Sequence, residues 1–147
     1  MKLYTIGFTQ KTAGQFFELL RQHGVRRVID VRLRPNGRLS GFARKDDLPY
    51  LLDRLVDGCQ YLHRLDLAPT NEMLDQRRKG GGDWQAYLEE YQHQLDQRRA
   101  LDGLDRASFE RLPSCLLCSE AEPEQCHRRL LAERLLQSWG DVEIIHL

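Results

Sequence analysis

"KLYTIGFTQKTAGQFFELLRQHGVRRVIDV" (residues 2–31) carries the reading on which the fold depends. The run KLYTIGF (2–8) is short and β-rich and ends at a glycine. Thr12 then offers a helix cap, with Gln15 three residues on, the pairing of a capping box. Phe16, Phe17, Leu19 and Leu20 supply an apolar face, and Gly24 stops the helix. VRRVIDV (25–31) follows as a second strand. Strand, helix and strand within about thirty residues make a βαβ unit, so the first two strands are expected to be parallel.

The same alternation continues outward. After a loop with Pro35, Gly37 and Gly41, a helix is expected over roughly 46–57, ending at Gly58. CQYLHRL (59–65) reads as a third strand, and Pro69 and Thr70 open a short helix. RRKGGGD (77–83) has no Gly-Lys-Ser/Thr and so is not a phosphate loop; a hinge is expected there. Asp83 caps a helix with Trp84, Tyr87, Leu88, Tyr91 and Leu95 on one face. PSCLLCS (113–119) reads as a buried strand, EPEQCHRRLLAERLLQSWG (122–140) as a helix with proline at its start and glycine at its end, and DVEIIHL (141–147) as a last strand. The expectation is one α/β domain over 1–147, with a mainly parallel sheet and helices on both faces.

In such sheets ligands gather beyond the carboxyl ends of the strands. That rule selects Gly7 to Thr9, Arg32 to Arg34, and Ser119 to Arg128 as residues expected to share one edge. Between Asp30 and Asp46 stand Arg32, Arg34, Arg38, Arg44 and Lys45 with no acid among them: a solvated loop on composition alone, or a local basic site. The chain as a whole balances 22 basic against 22 acidic residues, which argues against a general nucleic-acid coating protein. No apolar run is long enough to span a membrane, and the start MKLYTIGFTQ lacks the apolar stretch of a signal peptide. A cytoplasmic protein is expected, with its four cysteines reduced.

Three of those cysteines fall in CLLCSEAEPEQCHRRL (115–130). Cys115 and Cys118 lie in a strand, so their side chains are expected on opposite faces and cannot chelate one metal together. A partial site from Cys118, Glu120, Cys126 and His127 stays open as a lesser reading, and no cofactor is otherwise implied. Cys126 lies near a helix N-terminus beside Arg128 and Arg129, where any access of solvent would favour the thiolate. The bland alternative is that both cysteines are packed as small apolar residues. His127 shares a helix face with Leu131, Leu135 and Trp139, which suits an inward histidine bonded to a neighbouring strand end. Arg128 needs a partner if buried, and Glu120 is close enough in sequence to supply its carboxylate. Asp30, ending an apolar strand, is expected to pair with an arginine or with backbone N–H groups.

YTIGFT (4–9), DVRLRP (30–35), LAPTNEML (67–74), Trp84 with Tyr87, and CLLCSE (115–120) with CHRRLLAE (126–133) together resemble a family known as domain of unknown function 488. The likeness runs through essentially the whole chain. It implies an α/β fold and a pocket built from Thr5, Gly7, Asp30, Arg32, Cys118, Glu120, Cys126, His127 and Arg128. Many members of that family carry His-Ser after the TIG, where this chain has Phe8-Thr9. No reaction comes with the resemblance.

The chemistry grouped at the expected edge suits an enzyme acting on a phosphate-bearing substrate, a nucleotide or a nucleic acid. Gly7, Thr9, Arg32, Arg34 and Arg128 would bind it; Glu120 or His127 would move a proton, and Cys118 or Cys126 would attack. The alternatives are a non-catalytic nucleotide or nucleic-acid binding module using the 32–45 loop, and a small metal-binding domain with ligands at Cys118, Cys126 and His127. Neither a membrane partner nor an oligomeric state is indicated by the sequence.

Overall fold

The computed structural model describes residues 1–79 and 83–147. The glycines expected to form a hinge, 80–82, lie outside the described residues. Among the described residues five strands, β1 (Lys2–Gly7), β2 (Arg27–Asp30), β3 (Gln60–His63), β4 (Ser114–Cys118) and β5 (Glu143–His146), form one parallel sheet in the order β3-β2-β4-β1-β5. All five are strands expected from the sequence. β1 and β2 are parallel as expected but are not neighbours: β4 lies between them, pairing Ile6 with Leu117 on one side and Ile29 with Leu116 on the other.

Helices α1 (Ala13–Gln22), α2 (Leu48–Leu55), α3 (Asn71–Arg78), α4 (Trp84–Gln97), α5 (Arg106–Arg111) and α6 (His127–Trp139) fill the connections. The capping box of α1 forms with both bonds present: Gln15 N–H donates to Thr12 Oγ1, and Thr12 N–H donates to Gln15 Oε1. Thr70 and Asp83 cap α3 and α4 as expected. Two departures matter. The segment 106–111, not assigned from the sequence, is helical because Asp105 accepts from the N–H groups of Ala107 and Ser108. α6 starts only at His127, so Pro123 lies in the preceding turn rather than at the helix start, and Cys126 is the N-cap residue.

Alternation along the strands builds a core on each face of the sheet. On one face α1 and α2 cover Ile6, Val28, Cys115 and Leu117 through Phe16, Leu20, Leu48 and Leu52. On the other, α3 to α6 cover Leu3, Ile29, Leu116 and Cys118 through Met73, Tyr91, Leu95, Phe109, Leu131 and Leu135. The connections leaving β1 and β2 therefore run over one face, and the connection leaving β4, between them, runs over the other. Such a reversal parts the loops at the carboxyl ends and opens a crevice there. Among the described residues, no helix is long and apolar enough to cross a membrane.

Candidate functional site

A cleft of about 970 Å³ opens at that crevice. The loop after β1 contributes Phe8, Thr9, Gln10 and Lys11, and the loop after β2 contributes Arg32 to Arg34 and the 37–42 turn. β4 and its following turn contribute Cys118, Ser119 and Glu120, while the last turn of α3 contributes Arg77 and Arg78. Its charged side chains are Lys11, Arg32, Arg34, Arg38, Arg77 and Arg78 against Glu120 alone. Two of the six cations are already matched: Arg32 with Asp30 at 2.7 Å, and Arg77 with Glu120 at 3.5 Å. Lys11, Arg34, Arg38 and Arg78 form no ion pair among the described residues. Burial and the nearby Arg128 charge lower the pKa of Lys11.

Arg32 is held rather than free. Its Nε and Nη2 donate to the two carboxylate oxygens of Asp30 at 2.8 and 2.7 Å, and Nη2 also donates to the Ala43 carbonyl at 2.6 Å. Asp30 is fully buried and accepts two more bonds, from the Arg32 backbone N–H at 3.1 Å and the Tyr61 hydroxyl at 2.5 Å. Burial and the Asp30 charge push the Tyr61 phenol up, so it stays a donor. The expected pairing of Asp30 with an arginine is present, and it locks the DVR turn. Phe8 lies 5.2 Å from the Arg32 guanidinium, its ring face toward the charge.

Arg128 departs from expectation. It is fully buried, does not line the cleft, and does not meet the Glu120 carboxylate. Its Nη1 donates to the Glu120 main-chain carbonyl, Nη2 to the Ala121 carbonyl at 3.2 Å, and Nε to Thr5 Oγ1 at 3.4 Å. The expected convergence of Arg32 and Arg128 on one anion is therefore absent: the first is neutralised by Asp30, and the second fastens the 119–126 turn to β1. Gly7 belongs to the same fastening. A Cβ there would stand 1.7 Å from the Glu120 carbonyl oxygen, so only glycine lets the turn lie against β1. Gly7 thus shapes the site without lining the cleft.

Below the cleft, Cys118, Cys126 and His127 bring one ligand atom each to within 4.8 Å of one another. His127 Nε2 donates to the Val31 carbonyl at 2.8 Å, the strand-end bond expected of an inward histidine. Cys118 Sγ lies 3.6 Å from Nδ1 and 3.7 Å from Nε2 of that ring. Contact with the Cys126 thiol favours ionisation of Cys118, whose pKa is lowered; Cys126, giving that hydrogen bond and buried, is raised. Solvent reaches Cys118 at the cleft but not Cys126, so the condition for a reactive Cys126 is not met. Cys115 points to the opposite core, as strand alternation requires, and cannot join Cys118 on a metal.

Of the residues expected at the site, Thr9, Arg32, Arg34, Cys118 and Glu120 line the cleft, Cys126 and His127 lie beneath its floor, and Gly7 and Arg128 hold the turn that forms its wall. Sequence reasoning missed Lys11, Arg77 and Arg78. The basic pair is visible in RRKGGGD, but only the path of the β3–β4 connection carries it over the strand ends.

With the fold and this geometry in view, the chain belongs to the family described as Domain of unknown function DUF488, whose pattern matches residues 12–135. β1 and its TIGFT lie ahead of the matched segment. No curated protein and no solved structure matches the chain.

Proposed function

We propose that this member of the family is an enzyme acting on a phosphate-bearing substrate, a nucleotide or a nucleic acid, held in the cleft at the carboxyl ends of β1, β2 and β4. One observation carries the reading: six cationic side chains and a single carboxylate line a cleft that Cys118 also lines. A concave wall with one sign of charge concentrates anions, and arginine forks suit phosphate oxygens. Arg34, Arg38, Arg78 and Lys11 bind the phosphate, because they are the cations not already spent on a carboxylate. Arg32 shapes the wall through Asp30. In this reading Glu120 moves a proton at the substrate, supported by its half-exposed carboxylate at the cleft, 3.5 Å from Arg77. The Cys118 and His127 pair supplies the reacting groups. Four free thiols, two of them (Cys118 and Cys126) beside the site, fit a reducing compartment, the cytoplasm.

The experiment is a binding and turnover screen of the full chain against nucleoside phosphates, short oligonucleotides and simple phosphate mono- and diesters. Salt-sensitive binding is expected, weakened in the double variant Arg38→Gln/Arg78→Gln. Glu120→Gln is expected to keep binding and lose turnover; binding without turnover in the native chain would mark a non-catalytic module. If no phosphate compound binds, or if the double variant binds as well as the native chain, the reading fails.

A further inference from the structure

We infer that Cys118, Cys126 and His127 form a site for one thiophilic divalent cation of the zinc class, with its open coordination position on the cleft side. Three soft or borderline donors arrive from two places in the chain: Cys118 is the last residue of β4, and Cys126 and His127 are the N-cap and first residue of α6. Their ligand atoms nevertheless lie within 4.8 Å of one another. Tetrahedral zinc with its usual bonds to sulfur and nitrogen sets a sulfur–nitrogen edge of about 3.5 Å. The separation of Cys118 Sγ from His127 Nδ1 is 3.6 Å.

The surroundings supply what ligands of this kind require. A carbonyl can only accept, so the bond to Val31 places a proton on Nε2 and leaves the lone pair of the neutral ring on Nδ1. A metal-bound histidine is ordinarily oriented in this way by its second nitrogen. Arg128 Nη1 donates to Cys126 Sγ at 3.5 Å, and this buried cation has no carboxylate partner among the described residues. It therefore stands beside the sulfurs as a counter-charge that favours thiolates. Of the three, Cys118 lines the cleft, so the triad borders the space where the substrate is proposed to lie. Three protein ligands and an open position are the pattern of a catalytic rather than a structural zinc. The ion would offer that position to a water molecule or a phosphate oxygen, with Glu120 two residues beyond Cys118. The existence of the site is independent of the phosphate reading; only the occupant of the open position rests on it.

The test is titration of the reduced full chain with Co²⁺, a spectroscopic stand-in for zinc, in buffer free of phosphate. Sulfur-to-cobalt charge-transfer absorption is expected to saturate at one equivalent and to disappear on adding Zn²⁺. Cys118→Ser, Cys126→Ser and His127→Gln should each lose or sharply weaken it, whereas Cys59→Ser and Cys115→Ser should leave it unchanged. Should a ligand variant fail to fold, the native chain still decides: Zn²⁺ must protect Cys118 from alkylation. Absence of the charge-transfer band, its persistence in Cys118→Ser, or no protection overturns the inference. Arg38→Gln/Arg78→Gln should bind Co²⁺ like the native chain, so the metal and phosphate readings fail separately.

Discussion

Replacing Asp30 by asparagine removes one charge and exchanges an acceptor oxygen for a donor, with almost no change in volume. In the native chain the two carboxylate oxygens take four bonds, three from Arg32 and one from Tyr61. Asparagine can keep the two bonds to Oδ1, but its NH₂ group then faces Arg32 Nη2, donor against donor. The Tyr61 hydroxyl can turn to accept, whereas the guanidinium cannot. Arg32 is only 4% exposed, and it is left with no charged partner: only the neutral Oδ1 of the new asparagine, the Ala43 carbonyl, a long contact to Ser40 and the ring face of Phe8 remain. Breaking a buried ion pair from one side costs about 3–5 kcal/mol, because the remaining charge is desolvated without a partner. With a urea m-value of about 2 kcal/mol per molar, the unfolding midpoint should fall by roughly 1.5–2.5 M. Urea unfolding followed by far-UV circular dichroism measures this directly. The double variant Asp30→Asn/Arg32→Gln should be more stable than Asp30→Asn, because the stranded charge is gone. A midpoint within about 0.3 M of native for Asp30→Asn, or simple additivity in the double variant, would refute the reasoning.

Gly7→Ala should destabilise by about 3 kcal/mol, the upper range for overpacking, since the obstructing atom is the backbone carbonyl that Arg128 holds; urea unfolding of the variant reads this, and a neutral result would mean the turn is not packed on β1. His146 titrates below its ordinary range, first because of burial and then because of Arg128 and Arg129. Its Nδ1 accepts from Thr5 Oγ1 at 2.6 Å, and Thr5 in turn accepts from Arg128. A depressed histidine contributes stability that is complete above its unfolded pKa of about 6.5 and is lost as pH falls through the folded value. The native chain should therefore lose more stability than His146→Gln between about pH 7.5 and pH 5.5, and parallel losses in the two would exclude the effect. In reduced, chelator-treated protein near neutral pH, mass-spectrometric mapping should find Cys118 alkylated before Cys126, Cys115 and Cys59. Cys59 is buried with its thiol pushed up to about 12, and labelling of all four together would indicate global unfolding rather than access through the cleft.

Local signals in the chain determined most of the architecture. Thr12 with Gln15, Thr70, Asp83, and the glycines after α1 and α6 mark helix boundaries through bonds and backbone freedom that involve near neighbours only. Apolar runs with short periods mark all five strands, and alternation within SCLLC separates Cys115 from Cys118 without knowledge of the rest of the molecule. Asp30 and Arg32, two residues apart at a strand end, pair locally, so their partnership was also legible. What lay beyond the sequence was long-range. Nothing in β1 or β2 indicates that β4 will pair between them, because strand order depends on which exposed edges meet when the crossovers close. That insertion decides the site: it puts Cys118 under the loops of β1 and β2 and turns the following segment onto the opposite face. Arg128 illustrates the consequence. Its charge suggested a carboxylate or phosphate partner, but a carbonyl-lined turn packed on Gly7 satisfies it instead, and backbone carbonyls carry no sequence signature. Arg77 and Arg78 reach the cleft for a similar reason, because the path of a long crossover over the sheet is set by packing of the cores and not by the residues it carries.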